Sequence, residues 1–265
     1  CRHRVHHRGN GGLDRHVVPL QAEFLTAFID VQKSLLWYTV CAFNPATFSA
    51  SVVDYGAFPD QGRTYFTKRD VRRTLQRMFS GHGYEAAIRA ALVELLGDLY
   101  SRRWRREDGA ELQLRRTLID ANYGASTDTV YEVCRSTLHP NVMPSHGKGI
   151  GAKNAPFSVW KQKAGEVKGD HWFVPTITGR RACRHVIIDV NFWKTFIHNR
   201  LNTPTGDPGA LTLFGRDDQS ESVHKMFADH LLAEEPIEVT ANERTAIEWQ
   251  EKPNRADNDY LDCIV

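Results

Sequence analysis

The chain has 265 residues, 41% hydrophobic and 25% charged, and its 34 Lys and Arg against 32 Asp and Glu leave a formal charge of +2. That balance argues against a disordered or fibrous chain and allows one large globular domain or two small ones. It identifies no partner, and no apolar run reaches the roughly 20 residues of a membrane span. Five cysteines (Cys1, Cys41, Cys134, Cys183 and Cys263), widely spaced and without a Cys-x-x-Cys pair, suit a reducing cytosol.

In chain order, residues 1–20 mix Arg, His and Gly without periodicity and are expected to form a linker from an upstream domain. Cys1, His3, His6 and His7 lack the second ligand pair that a closed zinc site needs. From Glu23 the pattern becomes β-rich: Phe24–Val31, Leu35–Phe43 and Phe48–Gly56, separated by short polar breaks, predict an antiparallel meander. Thr67 is placed to cap a helix over 68–79, and Ile88, Leu92, Leu95, Leu96 and Leu99 make a helical stripe within Tyr84–Arg103.

Leu112–Asp120 returns as a strand, Ser126 or Thr127 caps a helix over 128–136, and Asn141–Ser145 is a short strand. The resulting order is β-β-β-α-β-α-β. A right-handed crossover after the third strand can lay the fourth parallel to the first. Residues 146–181, rich in Gly and Lys, are expected as an exposed excursion. A strand at Val186–Asp189, a helix at 191–201, a helix near 220–233, a hairpin (237–240 and 245–249) and a last helix opening around Ala256 complete the chain. The chain starts at Cys1 and stops at Ile264-Val265 inside an apolar run, as a piece of a longer polypeptide would.

Asp30 and Asp120 each end an apolar strand. If those strands are parallel neighbours, both carboxylates meet at the carboxyl edge of the sheet, where open α/β sheets bind ligands. Close like charges need a cation, and oxygen donors suit Mg²⁺ or Mn²⁺. A site for two ions needs a third acid. On the last helix Leu261, Ile264 and Val265 share an apolar face, leaving Asp262 beside it and free to point along the sheet edge. Asp257 and Asp259 fall at that helix's N-terminus, where acids are favourable. A strand-terminal Asp is also a common turn former or cap. For Asp189, which precedes a helix, capping is the better reading, with metal ligation as the alternative.

The segments LTAFIDVQKSLLWYTVCAF, VVDYGAF, LIDANYG, TDTVYEVCR and NDYLDCIV together resemble tailed-phage terminase large subunits of the lambda-like GpA class, in their C-terminal nuclease half, from about Val18 to Val265. The resemblance implies an RNase H-like α/β domain over 21–265, a mixed central sheet flanked by helices. It makes Asp30, Asp120 and Asp262 the metal ligands of an endonuclease that cuts concatemeric double-stranded DNA with two Mg²⁺ or Mn²⁺ ions. An upstream ATPase domain, a small terminase subunit and a capsid portal would be partners, and the cytoplasm of a bacterial host the location. No G-x-x-x-x-G-K-[ST] loop is present, since SHGKGIGAK lacks both its spacing and its Ser/Thr, so no ATPase activity is expected of this chain. Lys148, Lys153, Arg180 and Arg181 are candidate phosphate contacts. The competing expectations are an inactive RNase H-like module that docks on DNA or a portal, and a different RNase H-like nuclease such as a resolvase or transposase.

Overall fold

A computed structural model describes residues 12–177, 179, 182–215, 223–254 and 256–265. Arg180, Arg181 and the His-rich start lie outside the described residues. The first strand, β1 (Val17–Val18), is short. Next come the three long strands of the meander, β2 (Phe24–Val31), β3 (Leu36–Asn44) and β4 (Ser49–Phe58), each within two residues of its expected bounds. Antiparallel pairing joins β2 to β3 and β3 to β4. In β2, Leu25, Ala27, Ile29 and Val31 alternate into one core, while Phe28 and Asp30 face the other side.

The helix expected over 68–79 shrinks to α1 (Leu75–Met78), capped by Thr74, whose hydroxyl accepts the Arg77 N–H. Local side-chain bonds take the place of the missing turns. Asp70 accepts the Thr67 N–H and hydroxyl, and Gln61 Oε1 accepts the N–H groups of Arg72 and Arg73. Those donors are spent in a turn and cannot nucleate a helix. The stripe of leucines forms α2 (Tyr84–Ser101), which covers one face of the sheet.

After α2 come β5 (Trp104–Arg106), β6 (Glu111–Leu112) and β7 (Leu114–Asp120). The small pieces β1, β5 and β6 form a separate three-stranded sheet. Val18 is fully buried and Arg15 pairs with the buried Asp54, so contacts with the domain begin inside the segment expected as linker. Burial works against ionisation of Asp54, but His16, Arg15 and Arg102 outweigh it and hold the carboxyl below its usual range.

The strand β7 lies parallel to β2, the placement the crossover argument allows. The helix α3 (Thr127–Ser136) leads into β8 (Val142–Lys148), parallel to β7. The expected excursion 146–181 instead carries two strands, β9 (Val167–Lys168) and β10 (Trp172–Val174), which extend the sheet beyond β11 (Val186–Asp189). Ile150, Phe157 and Phe173 give this region its own small core, so its glycines and lysines decorate a packed element.

The remaining elements are α4 (Val190–Asn202), β12 (Leu211–Leu213), α5 (Lys225–Leu231), the hairpin β13 (Glu234–Ala241) and β14 (Arg244–Glu251), and α6 (Asp259–Ile264). The last helix opens three residues later than expected. The main sheet has nine strands in the order β12-β4-β3-β2-β7-β8-β11-β10-β9. A core with α2 and α3 lies on one face, and a second core with α5 and α6 lies on the other. No helix among the described residues is long and apolar enough to cross a membrane.

Candidate functional site

Ile29 of β2 sits in register with Ile119 of β7, so Asp30 and Asp120 follow side by side at the carboxyl ends of two parallel strands. Asp120 in turn pairs with Ser145 of β8. All three face away from the α2 core, because Ile29 and Ile119 take that side. The helix α6 packs on β2 and β3 from the opposite face, burying Tyr260, Leu261, Cys263 and Ile264. Its Asp262 is turned toward the same hollow. Asp30, Asp120 and Asp262 together line a cavity of about 380 Å³, with Gln32, Asn122, Ser145 and Lys194 around them.

The acids are held apart by polar partners. Gln32 donates to Asp30 at 2.8 Å, and the Asn122 N–H donates to Asp120 at 3.1 Å. Lys194 of α4 reaches Asp262 at 3.1 Å and Glu234 at 2.6 Å, and Asn258 donates to both of those carboxylates. Ser145 Oγ is buried and has no hydrogen-bond partner among the described residues.

Burial is the largest influence on Asp30, Asp120, Asp259 and Asp262. It raises Asp30 well above the usual carboxylate range, with the charges of Asp259, Asp262 and Asp120 adding and Gln32 opposing. Burial lifts Asp120 to about 6, with Asp262 adding and backbone N–H groups opposing. Asp259 is likewise lifted to about 6 by burial, against the pull of Lys68. Burial alone would lower the Lys194 ammonium, yet Asp262 and Glu234 outweigh it and keep the lysine protonated.

Asp189 lies apart from this group. Its carboxylate caps α4, accepting from the N–H groups of Asn191 and Phe192, and also from Ile150. The strand β11 presents Ile188 to the cavity and turns Asp189 to the other face, so capping is the role its contacts describe. Lys148 and Lys153 are exposed, and the Lys148 ammonium lies 4.9 Å over the Trp160 ring.

Three residues of the site were not among the expected ones. Asp259, expected to serve only a helix end, is fully buried beside Asp30 and bonded to Lys68 at 3.1 Å. Its spacing of three from Asp262 places both acids on one helix face, a legible signal. Lys194 and Glu234 come from elements 40 residues apart and carry no local signature. Among the described residues, one group of His and Asp ligand atoms lies within 4.8 Å of one another, and it is His230, Asp257 and Asp259, not the expected trio. The two lysines explain the spread. Lys194 draws Asp262 toward Glu234, while the Lys68 N–H and ammonium tie Asp257 and Asp259 together. Tyr260 donates its N–H to His230 Nδ1, and burial lowers that imidazole to about 3.

Replacing Lys194 by Met is expected to cost about 3–5 kcal/mol in urea unfolding at neutral pH, because two carboxylates lose their countercharge. A loss under about 1 kcal/mol would show that the ion pair has no structural weight.

Fold and cavity define an α/β domain with an acidic site at the carboxyl ends of its parallel strands, the edge at which open α/β sheets take ligands. The chain belongs to the family described as terminase large subunit gpA, endonuclease domain, which matches residues 2–265. No curated protein and no solved structure matches it. Membership supports a nuclease role in DNA packaging.

Proposed function

We propose that this domain is a divalent-metal-dependent endonuclease that cuts concatemeric double-stranded DNA for packaging, with Asp30, Asp120 and Asp262 holding two Mg²⁺ or Mn²⁺ ions. The observation that carries the reading is the convergence of these three acids on one cavity in a chain of the gpA endonuclease family. The sheet order β4-β3-β2-β7-β8, with β2 parallel to β7, supports an RNase H-like fold. The donor set fits the ions: oxygen ligands only, and carboxyls raised by mutual repulsion and burial that a dication would relieve. Bound there, the ions would supply Lewis-acid chemistry, making water acidic and stabilising charge on the departing 3′ oxygen.

The protein's own groups do the rest. Gln32 and the Asn122 N–H fix the orientation of Asp30 and Asp120. Ser145 Oγ, with no partner among the described residues, is free to bond a phosphate oxygen or a water in the cavity. Burial raises the Asp262 carboxyl, and Lys194, 3.1 Å away, opposes that rise. Lys148, the last residue of β8, and Lys153 beyond it are both exposed and suited to backbone phosphates. An upstream ATPase, a small terminase subunit and a portal would complete the machine in the host cytoplasm.

The raised carboxyls have a consequence for stability. A group whose folded pKa exceeds its unfolded value stabilises below the unfolded value, near 3.9, and that contribution is lost as pH rises through the folded value. For Asp120 and Asp259 the loss runs from about pH 4 to about pH 6. The metal-free melting temperature should therefore receive a falling contribution from these two acids between about pH 4 and 7. Mn²⁺ should raise the melting temperature more at pH 8 than at pH 5, since it competes with protons for the same oxygens. Equal shifts at both pH values would speak against binding at this cluster.

The function itself is tested on supercoiled plasmid with Mn²⁺, Mg²⁺ or EDTA. Nicked and linear products with either metal and none with EDTA are expected. A folded domain that binds Mn²⁺ and leaves the plasmid supercoiled would overturn the reading in favour of a docking module.

A further inference from the structure

A cavity of about 740 Å³, larger than the acidic one, lies elsewhere in the domain. It opens on the α2 side of the sheet, and five arginines line it: Arg15, Arg72, Arg73, Arg77 and Arg102. They come from three separate stretches of chain, before β1, around α1 and just after α2. The acids on its wall are Asp60 and Asp98, with Asp54 buried behind it. Asp54 is shared by Arg15 and Arg102, so one carboxylate serves two guanidiniums. Asp60 spends an oxygen on the Gly62 N–H.

Two of the other three arginines, Arg73 and Arg77, are positioned by neutral groups. Arg73 donates to the Asp60 carbonyl at 2.9 Å, and Arg77 donates to the Arg72 carbonyl at 2.7 Å. Such bonds aim a guanidinium without cancelling its charge. The backbone of Arg72 and Arg73 is itself fixed by Gln61 Oε1, so the cluster is built before any ligand arrives. Tyr38 lies within the hollow against Gly56, where a Cβ would come 2.8 Å from its hydroxyl oxygen; glycine makes room for that ring. An excess of oriented forks around a concave space matches the geometry of phosphate oxygens.

We propose that this arginine cavity is a second phosphate-binding site, which grips the DNA backbone away from the bond that is cut. Its location favours that source. Asp30 pairs across the sheet with Trp37, and Trp37 with Ala57, which lines the cavity. The two hollows therefore lie toward the same end of the strands, on opposite faces of the sheet and two strands apart, about 10 Å along the hydrogen-bonding direction, so a duplex that touches both passes around that end. The identity of the phosphate as DNA rests on the nuclease reading above, whereas the anion site itself does not.

The test measures anisotropy of a labelled duplex of about 20 base pairs in EDTA, where nothing is cut. The Arg72→Gln/Arg77→Gln double variant leaves the Asp54 pairs intact. Its Kd is expected to rise about tenfold at moderate salt, and its salt slope to fall by roughly 1–2. Arg72→Gln alone, an exposed change, is expected to give a smaller shift in the same direction and covers the case in which the double variant does not fold. Tripolyphosphate in a thermal-shift measurement separates the sources. If the variants lose its stabilisation yet bind duplex normally, the site holds a free polyphosphate and the DNA assignment is overturned. If folded variants match the parent in both measurements, there is no phosphate site. Because no cleavage is read, a failure of the nuclease reading would show in the plasmid experiment and leave this one interpretable.

Discussion

Asp30→Asn is expected to lower metal-dependent plasmid cleavage by on the order of a thousandfold, with the fold preserved. Asp30 is the most enclosed acid of the trio and the one on which the charges of Asp259, Asp262 and Asp120 converge. The amide keeps the shape and retains an oxygen, but gives up the charge that a dication would need. Several kcal/mol of transition-state stabilisation go with that charge, which at about 1.4 kcal/mol per decade gives the figure above. Removing the buried charge also relieves repulsion in the metal-free state, so the variant should melt no lower than the parent. Asp189→Asn is the matched control. Asn caps a helix nearly as well as Asp, so both cutting and stability should change little. If Asp189→Asn abolished cleavage while Asp30→Asn did not, the site has been placed on the wrong face of the sheet.

Trp37→Ala is expected to be the most destabilising single change, by about 3–5 kcal/mol in urea unfolding. Trp37 is fully buried at the centre of the second core. It stacks on Phe66 at 5.2 Å and meets Tyr260 and His230 edge-on at 4.8 and 5.1 Å. It is thus one of the contacts, with Tyr55 at 5.0 Å from Tyr260, through which the sheet holds α6, and α6 carries Asp259 and Asp262. Cleavage should fall with stability, because the third acid loses its support. A cost under about 1 kcal/mol, or full cleavage by a destabilised variant, would show that α6 is held by other contacts.

The meander and the leucine helix were legible because each is specified locally, by apolar runs broken at polar turns and by a helical stripe. The parallel placement of β7 beside β2 was compatible with the crossover rule without being fixed by it, and it brings Asp30 and Asp120 together. The segment 68–79 was misread because Asp70 and Gln61 capture backbone donors, a side-chain effect that helix propensity does not register. The strands of 167–174 are short and pair with β11 and each other, so their identity depends on partners rather than on pattern. Asp259 could have been found from its spacing to Asp262. Lys194, Glu234 and the five arginines could not, since each group is assembled from segments far apart in the chain.

The central claim, that Asp30, Asp120 and Asp262 hold the metal, is tested most directly by anomalous diffraction from a crystal soaked in Mn²⁺. The account predicts one or two peaks in the cavity between these three carboxylates, about 3.5–4 Å apart if there are two, with the Lys194 ammonium withdrawn from Asp262. A peak confined to His230, Asp257 and Asp259, or a cavity that stays empty at saturating Mn²⁺, would contradict it.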